Sequence, residues 1–497
     1  MNGFANVGDD LLRTGRAQDP VVFDRAGEHT YGQLRSAVAR LSRSLREADL
    51  PPGSRVGLLG PNSFFWVASY LAILRSGHTV VPFATVLTAE DVQAKAEFVG
   101  CDTLFVDSRL SRRFERVALG MRSVVTDDSV SSGDPLDLAD VPVAAPATEA
   151  ILLFTSGTTA RPRAVRVTHE NIRANTDSII EYLGLQRDDR MLVVLPFSYC
   201  YGASLLHTHL RAGASLCICD TLAFPESVVA MMREERCTGF AGVPSTYQLL
   251  LRASSFASTD LPTLRHMQQA GGRLPHTQIL EVAAAHPGAR LFVMYGATEA
   301  TARLSYLPPE DIDARAGSIG RGIPGVTLRV TDERGADLAP GQVGEIRAKG
   351  ANITAGYWQD PQGTAAKYVN GELRTGDMAR MDEDGYVYIV DRQEDFIKSW
   401  GYRVSSHEVG DAILTMPQIV SAAVVGRPDP EAGEAIVAFC TPRRGAAVTA
   451  ADVVSHCRAR LAKHLVPHEV ILVPQLPLNA NGKVMKSTLR AMAASGS

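Results

Sequence analysis

Residues 151–159 read Ile-Leu-Leu-Phe-Thr-Ser-Gly-Thr-Thr. An apolar run suited to a strand passes directly into five small residues, four of them hydroxylic. Gly157 permits a sharp turn, so that successive backbone N–H groups converge as an anion nest. Thr155, Ser156, Thr158 and Thr159 add hydroxyl donors, and Arg163 adds fixed charge. This is the chemistry that holds a polyphosphate. The spacing is not that of the P-loop, G-x-x-x-x-G-K-[ST], so the loop is not that of an ordinary NTPase. Standing alone it would read equally well as a Ser/Thr-rich turn without a ligand.

It does not stand alone. Residues 293–300, Val-Met-Tyr-Gly-Ala-Thr-Glu-Ala, again run from strand into glycine turn. This turn offers Tyr295 to stack on a base, Thr298 to bond a phosphate and Glu299 to hold Mg²⁺. Gly344-Glu345-Ile-Arg follows, then Thr-Ala-Gly-Tyr-Trp over 354–358 and Leu-Arg-Thr-Gly-Asp over 373–377. Asp377, directly after a glycine at a strand end, suits a ribose diol. Residues 385–392 end in Arg392, and residues 476–483, Leu-Pro-Leu-Asn-Ala-Asn-Gly-Lys, end in Lys483. The chain has 43 arginines and only 7 lysines. Where a lysine stands, that background would more often have supplied arginine.

Strand-like and helix-like patterns alternate through the first three hundred residues. Short apolar runs at 55–59, 79–82, 103–106, 190–195 and 215–219 are separated by longer helical patterns such as 64–75. Alternation of this kind predicts an α/β architecture with mostly parallel sheets. Residues 127–147, rich in Ser, Asp, Pro and Ala, read as a surface connection. From about residue 312 short strands at 326–330, 344–347 and 386–390 predict a small β-rich subdomain. The last hundred residues read as an α+β unit, with helices near 407–416 and 450–464 and strands at 422–426 and 434–441.

Composition excludes several classes. The 50 basic and 54 acidic side chains leave a formal charge of −4, with no basic field for nucleic acid. The longest apolar run, 64–74, is too short to span a bilayer. Residues 1–18 have no apolar core, so no signal peptide is expected and the cytoplasm is the default location. Seven cysteines in 497 residues make no disulfide framework. Cys217 and Cys219 suit one face of a strand rather than a zinc knuckle, and His207 and His209, two apart on a helical run, face different sides.

The motifs, in this order, resemble those of the adenylate-forming superfamily, which includes acyl-CoA synthetases, aryl-CoA ligases, firefly luciferase and the adenylation domains of nonribosomal peptide synthetases. The resemblance runs from about Gly32 to Lys486. It implies a large N-terminal domain of two parallel-type α/β sheets plus the small β-rich subdomain, over residues 1–393, and a mobile α+β C-terminal lid over 394–497. It implies ATP, Mg²⁺ on Glu299, and a small carboxylic acid. Attack of the carboxylate on the α-phosphate would give acyl-AMP and pyrophosphate. A thiol, from CoA or from the phosphopantetheine of an acyl carrier protein, would then displace AMP. The implied ATP-binding residues are Thr155, Ser156, Gly157, Thr158, Thr159, Arg163, Gly271, Gly272, Tyr295, Gly296, Asp377 and Arg392. Lys483, Glu299 and Thr298 would be catalytic. The lid would turn about Glu394 and bring Lys398 and Gly401 to a thiol tunnel. Monomer and homodimer both remain open.

In the same frame Tyr199, Gly202, Phe240, Gln268, Gln269 and Ala297 would line the acid pocket, with Gln268 and Gln269 able to bond a polar substituent. No aspartate stands ready to pair with an α-ammonium, which disfavours amino acids. Ala160 and the pair Arg163-Ala164 depart from the phosphate loop's usual glycine and lysine-glycine. That departure motivates an alternative on the same fold, the ATP-dependent coupling of nitrite to an arylamine.

Overall fold

The computed structural model describes residues 6–130, 144–155, 162–219, 222–479 and 481–495. Two large sheets dominate the first three hundred residues. In the six-stranded sheet the strands run in the order Ser123–Thr126, Thr103–Val106, Arg55–Leu59, Thr79–Phe83, Glu149–Phe154 and Ala164–Thr168, all parallel except the last pair. The strands Thr103–Val106, Arg55–Leu59 and Thr79–Phe83 are buried on both faces, which is why they read as continuous apolar runs rather than alternating ones. The nine-stranded sheet centres on the parallel strands His266–Gln269, Gly239–Gly242, Arg190–Val193 and Ser215–Ile218, with Arg290–Tyr295 beside the first.

One core joins the two sheets. Val56, Val80 and Ile151 from the first and Met191, Val193 and Phe292 from the second pack with the helices Phe64–Arg75 and Cys200–Ala212. Every residue of Phe64–Arg75 is buried, as expected of a helix apolar all round. The arginine that closes it pairs with Asp9 at 2.9 Å.

The β-rich subdomain begins later than its turns suggested. Ser305–Leu307 and Arg321–Gly322 extend the nine-stranded sheet as antiparallel edges. The separate five-stranded antiparallel sheet starts at Val326–Thr331 and continues through Val343–Gly350, Tyr368–Val369, Glu372–Met381 and Val387–Arg392. The last hundred residues form another five-stranded sheet flanked by the helices Ser406–Leu414, Ala450–Arg458 and Lys486–Ser495. The middle helix stops six residues short of its expected end. Val466 is held extended before Pro467, and a 3₁₀ turn at Lys463–Leu465 covers the gap. Of the surface connection at 127–147, residues 131–143 lie outside the described part.

His207 and His209 face different neighbours, as their spacing requires. His207 Nε2 lies 2.6 Å from the Tyr70 hydroxyl, and His209 Nδ1 bonds the Leu205 carbonyl at 2.9 Å. Burial pushes His207 down to about 3 from an ordinary value of 6.5, and burial likewise takes His266 down to about 4. Between pH 6.5 and these lowered values the unfolded chain binds protons that the folded rings refuse. Stability therefore falls as pH drops through that window, by up to about 1.4 kcal/mol per pH unit for each ring. His207→Gln should flatten the decline of the urea midpoint between pH 6.5 and 4.5, and an unaltered slope would contradict a neutral buried His207.

Candidate active site

The strands on either side of the Thr155–Thr159 motif pair with each other. Glu149–Phe154 pairs antiparallel with Ala164–Thr168, closing at Phe154 against Ala164. One step further the Thr155 amide donates to the Arg163 carbonyl at 3.1 Å. Thr155 and Arg163 thus face each other at the mouth of the loop. Ser156, Gly157, Thr158 and Thr159, with Ala160, lie outside the described residues. The Arg163 guanidinium lies 4.8 Å over the Tyr357 ring and 3.5 Å from the Asp360 carboxylate. The Tyr357 hydroxyl in turn donates to Glu299 Oε1 at 2.8 Å. A chain of contacts therefore runs from the loop base to Glu299.

Glu299 lies in a 3₁₀ turn, Thr298–Ala300, that follows the strand Arg290–Tyr295. The reversal is tight. A Cβ on Gly296 would stand 1.8 Å from the Ala302 carbonyl oxygen, so only glycine fits. Thr301 is held at φ 66, a strained region for a β-branched residue, and its hydroxyl anchors on the Asn352 carbonyl at 2.7 Å. The amide and hydroxyl of Thr354 both bond the Glu299 carbonyl, at 3.0 and 2.9 Å. Thr298 Oγ1 approaches the Cys200 thiol at 3.5 Å.

Tyr295, Asp377 and Arg392 meet. Asp377 and Arg392 are cross-strand partners, with Arg392 Nε 3.3 Å from Asp377 Oδ1. The Tyr295 hydroxyl donates to the other oxygen, Oδ2. Burial raises the Tyr295 phenol well above its ordinary value and the Asp377 charge adds to that, so it stays a donor. Glu345 holds the strand segment before Asp377. Its carboxylate accepts from Arg374 Nε at 2.9 Å and from the Gly376 amide at 3.0 Å. Sequence reasoning marked the motifs that contain Glu345 and Tyr357 but assigned those two residues no role. A carboxylate beside a strand glycine and a tyrosine inside a glycine turn were the signals.

Lys483 is carried on a small hairpin of the C-terminal region. Asn479 Oδ1 accepts from the amides of Asn481 and Lys483, at 2.9 and 3.0 Å, and the Asn479 amide donates to the Lys483 carbonyl at 2.8 Å. Gly482, at φ 73, lets the turn dock flush. Its carbonyl accepts from Ser245 Oγ at 3.0 Å, and a Cβ there would reach 2.8 Å from that oxygen. An Arg273–Asp411 ion pair adds a second contact between the two regions.

The docked Lys483 ammonium stands 5.4 Å over the Tyr199 ring. No carboxylate among the described residues forms an ion pair with it. Burial lowers its pKa, Arg392 pushes the same way, and Cys200, Asp377 and Glu299 oppose. Gly271 completes this corner at φ 85, where a Cβ would meet Val243 at 2.8 Å and the Tyr199 hydroxyl at 3.0 Å. Gly272 offers its carbonyl to the Gln269 amide at 2.9 Å.

The expected acid-pocket residues divide. Tyr199, Cys200 and Tyr201 open the Cys200–Ala212 helix, and the Tyr201 hydroxyl donates to the Gln268 carbonyl at 2.9 Å. Gly202 is there for close approach, because a Cβ would lie 2.0 Å from the Pro196 carbonyl oxygen. Gln268 is fully buried, and neither of its amide atoms has a partner. Ala297 stands at the start of the Glu299 turn. Phe240 is elsewhere. Strand alternation sends it to the opposite face from Ala241, into a core with an edge-on Tyr247 and Phe256, so it is a packing residue.

Glu394 falls in the turn after the strand that ends at Arg392, and its carbonyl accepts from Arg490 at 3.3 Å. Around it a buried network joins the two regions. The Asp391 carboxylate accepts from the Ser406 amide at 2.6 Å and its hydroxyl at 2.8 Å, capping the Ser406–Leu414 helix. Lys486 bonds Asp395 at 2.9 Å and Ser406 at 2.8 Å. Lys398 and Gly401 lie on an exposed turn of the C-terminal sheet, with open space beside Gly401.

Residues 13–358 match the AMP-binding enzyme family and residues 408–483 match the AMP-binding enzyme C-terminal domain. The chain belongs to the AMP-binding enzyme family. It is 30% identical over 481 residues to an indoleacetate–CoA ligase of Aromatoleum aromaticum, covering 94% of this chain and 93% of that one. It is 30% identical over 517 residues to a 3-hydroxybenzoate–CoA ligase of Aromatoleum sp., covering 99% and 98%. The ATP-bound crystal structure of MatB from Rhodopseudomonas palustris superposes with a TM-score of 0.90 at 27% identity, covering 98% of each chain.

Burial that lowers the Lys483 pKa makes the uncharged amine available at lower pH than for an ordinary lysine near 10.5. Competitive acetylation of the whole chain, read peptide by peptide across pH, should show Lys483 titrating below that value. Titration at or above it would contradict the buried, unpaired geometry.

Proposed function

We propose that this chain activates a small aryl or acyl carboxylic acid with ATP, releasing pyrophosphate, and passes the acyl group from AMP to the thiol of CoA. The observation that carries the reading is the docked Lys483. A cation without a carboxylate partner is held beside Tyr199 and within the field of Asp377, Glu299 and Arg392. Joining a carboxylate to the α-phosphate brings two negative groups together. An ammonium fixed between them stabilises the charge that develops on the bridging oxygens. Its thin, flexible stem suits that place better than a planar guanidinium.

The remaining residues position the reactants. Asp377, oriented by Tyr295 and Arg392, would accept from the ribose hydroxyls. Thr155, Arg163 and the loop between them would neutralise the β- and γ-phosphates. Phosphoryl chemistry of this kind depends on positioning and charge more than on covalent help. Glu299 fits a metal: one carboxylate oxygen is taken by Tyr357, and the other has no hydrogen bond among the described residues. Bound there, Mg²⁺ would supply further positive charge to the phosphates.

We further propose that residues 1–393 and 394–497 act as core and lid. Turning about Glu394 would withdraw Lys483 and bring Lys398 and Gly401 toward the acyl group for thiol attack. The turn would break the Asp391–Ser406 and Arg273–Asp411 contacts. The nitrite–arylamine alternative gains no support, because the relatives above are named for carboxylic acids and CoA.

Lys483→Ala should lower pyrophosphate release by about 10²-fold or more while sparing thioester formation from a supplied acyl-adenylate. Equal loss of both half-reactions would remove the role given to Lys483. Glu394→Pro should spare the first half-reaction and block the second, since a fixed φ freezes the turn. Survival of both steps would place the pivot elsewhere.

A further inference from the structure

Arg303 is the structure's least economical residue. It is 1% exposed, among the largest fully buried side chains, and it has no carboxylate within ion-pair distance among the described residues. Its neighbours are neutral. Nε lies 3.4 Å from the Tyr182 hydroxyl and Nη2 lies 3.5 Å from Ser204 Oγ, both at the outer limit of a hydrogen bond. The guanidinium sits 4.4 Å over the Tyr201 ring, and no hydrogen bond engages Nη1 among the described residues. A buried charge without a counter-ion is costly, and apolar replacement of such groups is often neutral or stabilising. The backbone does not need the side chain, because the Arg303 carbonyl is held by Asn175 at 3.1 Å and Asn352 at 2.8 Å.

A second orphan is linked to it through Tyr201. Gln268 is 0% exposed, with neither Oε1 nor Nε2 bonded. Strand alternation puts its side chain on the same face as Ala270, in the core that contains Tyr201. Tyr201 links the two, stacking under Arg303 and donating to the Gln268 carbonyl. Both orphans adjoin the acid site. The Tyr201 and Tyr199 rings are 6.3 Å apart, and Lys483 stands over the second as Arg303 stands over the first. The Cys200 thiol between them, raised chiefly by burial, is lowered in turn by its bond from Thr298, by Lys483 and by Arg303.

We propose that Arg303, with the Gln268 amide, binds a second carboxylate on the acid, so that the enzyme selects dicarboxylic acids over matched monocarboxylic ones. The proposal rests on the adenylation reading above. Lys483 addresses the carboxylate that is activated. Arg303 Nη1 and Gln268 Nε2 donate to the distal one, which supplies the missing counter-charge. Arginine is suited to this by its planar fork of donors. The same cation disfavours an α-ammonium in this pocket.

The test pairs acids of one skeleton: benzoate with isophthalate and terephthalate, cinnamate with 4-carboxycinnamate, and pentanoate with glutarate. For the wild-type chain, kcat/KM of pyrophosphate release should favour the diacid at least tenfold in one or more pairs. Arg303→Met should shift that ratio toward the monoacid at least tenfold, with a melting temperature no lower than wild type, whereas a purely structural arginine would lower it and leave the ratio unchanged. Gln268→Leu should move the ratio the same way by a smaller factor and serves if the first variant does not fold. Calorimetric binding of the same pairs, without turnover, separates the two readings. If no acid releases pyrophosphate, the adenylation reading fails, while a diacid preference in binding that Arg303→Met removes still supports the subsite. Preference for the monoacid in every pair, or a ratio untouched by both variants, overturns it.

Discussion

A single unpaired ammonium organises the site. Lys483 is taken out of water without a carboxylate to replace its hydration, and desolvation on that scale must be offset elsewhere. The offsets are visible. Tyr199 presents its ring face to the ammonium, and Asp377 and Glu299 contribute favourable field from a distance. None of them pairs with the lysine directly. A direct salt bridge would hold the cation more tightly, but it would also occupy the place where an anionic substrate pair must meet it.

Holding such a charge in place falls to backbone rather than to side-chain pairing. The lysine hairpin is closed by Asn479 and docked through Gly482 onto Ser245, where even one methyl group would intrude. Opposite it, Gly296 and Gly271 allow similarly close approach. Asp377 is presented by a strand segment that Glu345 holds at Gly376, and Glu299 is fixed through its own carbonyl by Thr354. The backbone of these candidate groups is thus set by residues one bond further back. Around Glu394, the proposed pivot, the pattern reverses. Asp391, Asp395, Lys486 and Ser406 satisfy one another, as buried polar groups that only latch two regions should.

Much of this was legible in the sequence, and for a physical reason. Glycines at strand ends and the residues after them are constrained locally, so the motifs around Thr155, Tyr295, Asp377 and Lys483 announce themselves in short windows. The parallel strands were legible because burial on both faces removes polar residues from them. What was not legible depends on partners distant in sequence. Phe240 looked like a wall until sheet alternation turned it away. Glu345 and Tyr357 acquire meaning only when strands some thirty and sixty residues apart come together. The Ala450–Arg458 helix ended early because a proline downstream and the packing of Leu465 outweighed a helical pattern.

The basic residues show how composition both reveals and conceals. Against 43 arginines a lysine stands out, and that contrast drew attention to Lys483. Lys486 stands out by the same contrast, yet its ammonium is bound by Asp395 and Ser406. It hid Arg303 altogether, since one more arginine carries no information in such a chain. What separates these three cations is not type or frequency but satisfaction. Lys486 has two close partners and is structural, while Lys483 and Arg303 have aromatic faces and no carboxylate. A buried cation left unsatisfied in the folded chain is stable only if the deficit is small or a ligand removes it. Two of them flanking one pair of tyrosine rings constrain the ligand more than either does alone, and under the proposal above they select one that is anionic at both ends.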